Sequence, residues 1–258
     1  MELADFSLDV FSLSGRVALV SGGNTGLGRA ISVALAAAGA DVCVVSVEDD
    51  GGQTRDLVEG RSRRYAEHRV DLTQPDGPDR AVEHCVADLG ALDVLVNCAG
   101  MNLLAPALDF DRDRWDAMVA LNLTAAFALS RSAARRMSAQ GSGKIVNIAS
   151  VFSFRGGRLS PAYAATKHGL VGLTRAYCDE LAALGVNVNA IAPGYVVTEL
   201  TRATREDPVR NQQVLDHVPA GRWGDPADLM GAVVFLASGA SDFVHGHVLA
   251  VDGGYLVR

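Results

Sequence analysis

At 258 residues, 49% hydrophobic and 21% charged, the chain carries enough apolar material for a large buried core and lacks the polar excess of a disordered segment. Its formal net charge of −7 repels a nucleic-acid backbone. The one basic cluster, Arg61, Arg63, Arg64 and Arg69, lies among polar residues and reads as a solvated helix-to-strand corner, so no nucleic-acid partner is expected. With no linker, repeat or low-complexity tract, residues 1–258 read as a single domain.

Met1 to Val10 contain Glu2, Asp5 and Asp9 and lack a basic stretch followed by an apolar run, so no secretory leader is expected. No uninterrupted apolar segment is read as long enough to cross a bilayer, and no membrane partner is expected. Cys43, Cys85, Cys98 and Cys178 are scattered without a Cys-x-x-Cys pair, the usage of buried, reduced thiols. These features together predict a cytoplasmic location.

From Arg16 onward, short runs rich in Val, Ile and Cys alternate with longer Ala-rich segments, the rhythm of strand-helix-strand units. Strands are expected at residues 17–21, 41–46, 69–71, 94–97, 144–149, 187–192 and 248–251. Each is short and mostly apolar, as when helices cover both faces of a sheet. Parallel strands need helical crossovers, expected at 28–38, 77–89, 112–138, 162–184 and 226–236. The fold class is therefore α/β, a doubly wound parallel sheet with helices on both faces. Residues 195–223, with several charges, Pro208, Pro219 and Gly221, read as the least regular stretch and as a lid beyond the carboxyl ends of the strands.

Immediately after the first strand stands Ser21-Gly22-Gly23-Asn24-Thr25-Gly26-Leu27-Gly28, followed by a helix former. Glycines let a backbone approach a pyrophosphate, and the helix start offers unpaired N–H groups and a partial positive charge. Further on, Ser150 closes the fifth strand, and Tyr163 and Lys167 lie four residues apart on the next helix, hence on one face. An ammonium so placed is expected to lower the phenol's pKa from its usual value near ~10 and make it a usable base.

The Gly-x-x-x-Gly-x-Gly spacing, with Ser150, Tyr163 thirteen residues later and Lys167 one turn beyond, resembles the short-chain dehydrogenase/reductase family position for position. The resemblance covers about residues 13–256 and implies a Rossmann-type fold, a nicotinamide cofactor and hydride transfer at a carbinol or carbonyl carbon. It implies Tyr163 as acid/base, Ser150 as the donor to the substrate oxygen, and Asn122 as carrier of a water in a proton relay. It also implies cofactor contacts at Gly22, Asn24, Thr25, Gly26, Leu27 and Gly28, at Ser46, at Asp71 and Leu72, and at Asn97, Ala99 and Gly100. Tyr163 and Lys167, and Pro193, Gly194, Val196 and Thr198 on the nicotinamide side, complete that set. Cys98 departs from the family's Asn-Asn-Ala-Gly and is read as packing.

The second strand ends in Ser46-Val47-Glu48-Asp49-Asp50, where three carboxylates and no Lys or Arg oppose a 2′-phosphate, so NAD is expected over NADP. Ser46 stands where the family's diol-binding Asp usually does. Residues 22–28, 149–157 and the tail from Pro219 resemble the branch that oxidises deoxygluconates and ketodeoxygluconates. A sugar acid is thereby implied, with Arg155 or Arg202 as the carboxylate partner and Tyr195 as a further substrate-side candidate. Arg205 borders the same cleft.

His245 and His247 alternate as on a strand and read as a loop or subunit contact, with no metal site expected. Trp115 and Trp223 read as packing residues, Trp223 also as part of the lid. Segments 112–137 and 162–184 are expected to form a symmetric dimer face, and the family resemblance implies a homotetramer. Two other functions share these residues: a 3-oxoacyl-thioester reductase using NADPH, and a dinucleotide sensor without turnover. The acidic end of the second strand opposes the first, and an intact Ser150, Tyr163, Lys167 and Asn122 opposes the second.

Overall fold

Strands that pair in parallel must be joined by crossovers, and this chain places helices between them. The computed structural model describes residues 6–258. The reading of a missing leader falls partly on residues 1–5, outside the described residues. Seven strands, β1 (Val17–Ser21), β2 (Asp41–Ser46), β3 (Tyr65–Arg69), β4 (Val94–Asn97), β5 (Gly143–Ile148), β6 (Val186–Pro193) and β7 (Val248–Val251), form one sheet. Their order is β3-β2-β1-β4-β5-β6-β7, and every neighbouring pair is parallel. The order reverses between β1 and β4, which opens a crevice at their carboxyl ends.

Alternate residues of each strand point to opposite faces, so two apolar layers form. On one face Ala18, Val20, Val42, Val44, Val96 and Val146 meet Ile31 and Leu35 of α1 (Gly26–Ala37) and Val233 and Leu236 of α9 (Met230–Ala237). On the other, Leu19, Cys43, Val45, Leu95 and Ile145 meet Val82 and Cys85 of α3 (Gly77–Leu89) and Leu129, Ala133 and Met137 of α5 (Ala126–Gln140).

The third strand differs from expectation: it runs Tyr65–Arg69, not 69–71. It is the edge strand, with Ala66 buried between partly exposed neighbours, so it needs no continuous apolar run. The Val70–Leu72 signal belongs instead to the exit from the sheet, where Asp71 accepts from the Thr73 N–H at 2.9 Å and turns the chain. A short polar helix, α2 (Gln53–Glu59), was not expected.

The span Arg112–Gln140 is one helical run, α4 (Arg112–Val119), a π-turn at Ala120–Ala125, then α5. By length and composition alone it would suffice to cross a bilayer, but charges such as Arg131, Arg135 and Arg136 interrupt it. Its apolar face has another use, since Met118, Ala125, Leu129, Ala133 and Met137 are buried within the protein.

The expected lid also contains helices: α7 (Arg202–Glu206) and α8 (Pro208–His217). Asp207 caps α8 by accepting from the N–H groups of Val209 and Arg210, and Pro208 fills the first turn.

Gly28 of α1 passes over the turn that follows β1, and a Cβ there would stand 2.0 Å from the Gly22 carbonyl oxygen. Gly28→Ala is expected to destabilise the fold by about 2–3 kcal/mol. Gly231→Ala, on α9 with no atom within 4 Å of the added methyl, is expected to stabilise it by about 0.5–1 kcal/mol. Denaturant unfolding of both variants measures this, and a Gly28 variant as stable as the parent contradicts it.

Candidate active site

The register places Ser21 opposite Asn97 and Asn97 opposite Asn147, so three strands end level at the crevice. Buried side chains lock that register. The Asn97 amide donates to Asn147 Oδ1 at 2.7 Å and Ser130 Oγ at 2.8 Å, and the Asn147 amide donates to Thr174 Oγ1 at 2.9 Å. Ser21 Oγ accepts from the N–H groups of Cys98 and Ala99 at 3.0 and 3.1 Å, tying the loop after β4 to the glycine turn. Gly22 has φ +63°, and a Cβ there would lie 3.1 Å from Ala99 Cα. Both Asn97 amide protons are thus bonded inside the fold, while its Oδ1 is buried without a partner.

The first turn of α1 has no acidic residue, and its cap position, Thr25, makes no side-chain cap. Its N–H groups are therefore left for an anion, the property a pyrophosphate requires. Thr198 closes the far side, its Cγ2 lying 3.6 Å from a Cβ built on Gly26. Leu27 is partly buried against the core. Asn24 is fully buried and braces the turn, donating to the Glu48 carbonyl at 2.8 Å and Glu67 Oε1 at 3.0 Å.

Beyond the turn lies Ser46, whose hydroxyl accepts from the Glu48 N–H at 3.1 Å. Asp71 lies at the end of the β3 exit, its carboxyl held below the usual range by bonds from Thr73 and Gln74, with Leu72 buried beside it. Arg29, a cation on this side of the turn, is tied to the Asn24 carbonyl, Thr54, Gln53 and Asp50, and Arg69 stands opposite Ser46 in the sheet register. A dinucleotide fits this strip, and when bound it supplies or accepts the hydride.

Ser150 follows β5 and caps a short 3-10 turn, Val151–Ser153, accepting from the Phe152 N–H at 3.1 Å. Ser153 Oγ donates to the Lys167 carbonyl at 2.8 Å, fastening that turn to α6 (Pro161–Leu181). Tyr163 and Lys167 share the α6 face turned toward Ser150. Lys167 Nζ lies 5.5 Å from the Tyr163 ring centroid and donates to the Ile148 carbonyl at 2.6 Å.

The expected lowering of the phenol does not occur. Loss of water pushes Tyr163 up to about 12, opposed by the hydrogen bond from Ser150. The same cause pushes Lys167 down to about 8, so near pH 7 it is still mainly the ammonium but gives up its proton more readily than an exposed lysine. Desolvation outweighs the ammonium's pull because Lys167 is itself buried and spends its proton on Ile148.

Asn122 lies in the π-turn, a backbone form concentrated at functional sites. Its Oδ1 accepts from the Met101 N–H and its amide donates to the Met101 carbonyl, both at 2.9 Å. The Asn122 side chain thus clamps the loop after β4, setting Gly100 beside Lys167; a Cβ on Gly100 would stand 3.9 Å from Nζ. Cys98 borders the same pair, and burial pushes its thiol up to about 11, so it stays neutral.

On the substrate side, Pro193 ends β6 and the Gly194 N–H donates to the Val251 carbonyl at 3.0 Å. Val196 is buried and bridges to Gly224. Tyr195 packs edge-on against Phe152, 6.1 Å between centroids, and Phe152 against Tyr163 at 6.0 Å. Trp223 and Tyr255 extend this aromatic wall. Phe152, His217 and Tyr255 were missed, since nothing in sequence spacing brings them together.

Both arginines proposed for a carboxylate have partners within the protein, Arg155 through Nη1 alone. Arg155 donates to His217 Nε2 at 2.6 Å and to the Arg258 carbonyl at 2.7 Å, and its guanidinium lies over Tyr255. Arg202 is exposed and pairs with Glu199. His245 Nε2 accepts from the Asn187 amide at 3.1 Å, placing that imidazole in the β6 to β7 region.

A hydroxyl, a phenol and an ammonium gathered at the mouth of a dinucleotide crevice can move a proton while a hydride leaves or arrives at the same carbon. The protein is thus of the class of nicotinamide-dependent oxidoreductases acting on CH–OH groups. A family profile described as enoyl-(acyl carrier protein) reductase matches residues 22–256, and the chain belongs to the short-chain dehydrogenase/reductase family.

Among its relatives, the uncharacterized oxidoreductase YgcW of Escherichia coli (strain K12) is 53% identical over 98% of this chain and 97% of its own. The 2-dehydro-3-deoxy-D-gluconate 5-dehydrogenase of Bacillus subtilis (strain 168) is 46% identical over 97% of this chain and 98% of its own. A gluconate 5-dehydrogenase from Burkholderia cenocepacia J2315, solved with NADP and tartrate, is 39% identical with a TM-score of 0.92, over 98% of this chain and 100% of its own.

Lys167 is protonated in the unfolded chain up to about 10.5 but in the fold only to about 8. Its charge therefore penalises the fold in full below about 8, and stability rises with pH between those values. Lys167→Met is expected to stabilise the protein by about 1–2 kcal/mol at pH 7, after loss of the Ile148 bond, while removing turnover. The gain should fade toward pH 10.5. Urea unfolding at pH 7 and 10 checks this, and a variant less stable at both contradicts it.

Proposed function

We propose that the protein oxidises a secondary alcohol of a sugar acid, a deoxygluconate or ketodeoxygluconate, with NAD as hydride acceptor, and runs the reverse with NADH. The observation that carries this reading is the 46% identity, over nearly the whole chain, to a 2-dehydro-3-deoxy-D-gluconate 5-dehydrogenase. The gathering of Ser150, Tyr163 and Lys167 supports the chemistry. Ser150 holds the substrate oxygen, Tyr163 takes the alcohol proton as its own phenolic proton leaves, and Lys167, its ammonium acidified by burial, hands protons on toward solvent. The glycine turn with Thr198, Ser46, Asp71, Leu72, Ala99, Gly100 and the Pro193–Val196 backbone line the dinucleotide, and Asn122 positions the loop beside Lys167.

Support for NAD comes from the carboxylates after β2 and from Arg29, which is bound to Asp50, Gln53 and Thr54 and is not free for a 2′-phosphate. The NADP held by the Burkholderia cenocepacia enzyme weighs the other way, so cofactor choice is measured directly. Ser46→Arg is expected to raise the NADP-to-NAD ratio of kcat/KM at least tenfold, about 1.4 kcal/mol. Equal parental efficiency with both cofactors sinks the preference for NAD.

A second reading, an acyl-thioester reductase, rests on the description of the matching family profile. NAD(P)H turnover across sugar acids, simple secondary alcohols and acyl thioesters separates the two. Tyr163→Phe is expected to lower turnover by about 10²–10⁴-fold without weakening NADH binding. A variant as active as the parent removes the assignment of the base.

The assembly we propose is a homotetramer. It would use the shallow groove formed by Leu123, Thr124, Phe127, Gly169, Gly172 and Leu173, and light scattering gives the mass. A cytoplasmic location is proposed from the four free thiols.

A further inference from the structure

Four arginines lie between Thr198 and Trp223, and three are spent on the protein itself. Arg202 pairs with Glu199, Arg205 donates to the Thr198 carbonyl at 3.1 Å, and Arg222 makes a two-pronged pair with Asp228 at 2.7 and 2.9 Å. The fourth, Arg210, is half-buried, and its guanidinium makes no hydrogen bond or ion pair among the described residues. A guanidinium with no partner in the protein keeps its planar set of donors free for an anion.

Its direction follows from helical geometry. Arg210, Val214 and His217 recur at i, i+4 and i+7 on α8 and so share one face. That face is turned inward: Val214 is 6% exposed, and the His217 ring lies 4.3 Å from Tyr255. Next to Arg210, Asn211 accepts from Trp223 Nε1 at 2.7 Å, and Trp223 lies 5.4 Å from Tyr195. The Arg210 charge is felt at the Tyr195 phenol. Tyr195 in turn leads through Phe152 to Tyr163. The free cation thus faces the substrate side of the aromatic wall, across from the acid/base.

We propose that Arg210 is the specificity-determining residue that holds the substrate carboxylate, replacing Arg155 and Arg202 in that role. This rests on the sugar-acid reading. A planar, two-pronged donor suits a carboxylate, and on α8 it would bring that helix down over the substrate as the carboxylate binds.

The test uses the parent, Arg210→Gln and Arg210→Lys, the best sugar acid of the panel, and the same compound with its carboxylate reduced to CH2OH. Arg210→Gln is expected to raise KM for the acid roughly 10- to 100-fold, the loss of one charged hydrogen-bonded pair. It should leave kcat within about threefold and leave the neutral compound and NADH affinity unchanged. Arg210→Lys should recover part of the loss, and it carries the test if the glutamine variant does not fold.

An unchanged KM for the acid overturns the proposal, as does an equal loss on both compounds, which is the mark of a merely structural role. A parent that does not distinguish acid from neutral compound overturns the sugar-acid reading itself. A parent that does, with an Arg210→Gln variant that distinguishes them equally well, overturns the role of Arg210 alone.

Discussion

The amide ladder between Asn97 and Asn147 is the constraint from which the site is built. A one-residue slip between parallel strands would move every side chain to the other face of the sheet. Buried amides resist such a slip more strongly than apolar contacts, because a slipped ladder leaves unpaired polar groups inside. With Asn97 and Asn147 joined and Thr174 and Ser130 completing the network, β4, β5, α5 and α6 are fixed to one another. From that frame, Ser21 gathers the loop after β4 to the glycine turn, and Ser153 ties the Ser150 turn to the helix that carries Tyr163 and Lys167. Cofactor strip and acid/base pair are positioned by one polar skeleton.

Water exclusion then sets the chemistry. The same enclosure that raises the Tyr163 phenol lowers the Lys167 ammonium, so burial favours the uncharged form of both and drives two nearly equal pKa values apart. Neither group is placed for stability. Lys167 is a buried cation satisfied by a single carbonyl, an arrangement that costs the fold and that the proposed proton transfer would account for.

Much of this was legible in the sequence because it is local. The glycine turn, the strand-end Ser150 and the i, i+4 pair of Tyr163 and Lys167 are short-range patterns whose geometry follows from a turn and a helix. Six strands were readable for the same reason, whereas β3, on the sheet edge with only Ala66 buried, lacked the apolar run that marks most of the others. Side-chain commitments were not legible. Asn24, Asn97 and Asn122 each occupy a family position, yet their amides bond within the protein, and only the folded arrangement shows that. The lid's arginines could not be ranked from composition, since what separates Arg210 from Arg202 is the partner each one has. The Asp207-Pro208 start of α8 was a readable cap that the general irregularity of residues 195–223 concealed.

The most direct measurement is a crystal structure of the protein with reduced cofactor and a non-reacting sugar acid. The expected result places the pyrophosphate on the first turn of α1, between Gly22 and Gly28. It also places one substrate oxygen within about 2.6–3.2 Å of both Tyr163 Oη and Ser150 Oγ. A dinucleotide bound away from that turn, or a substrate oxygen beyond reach of Tyr163, would contradict the account.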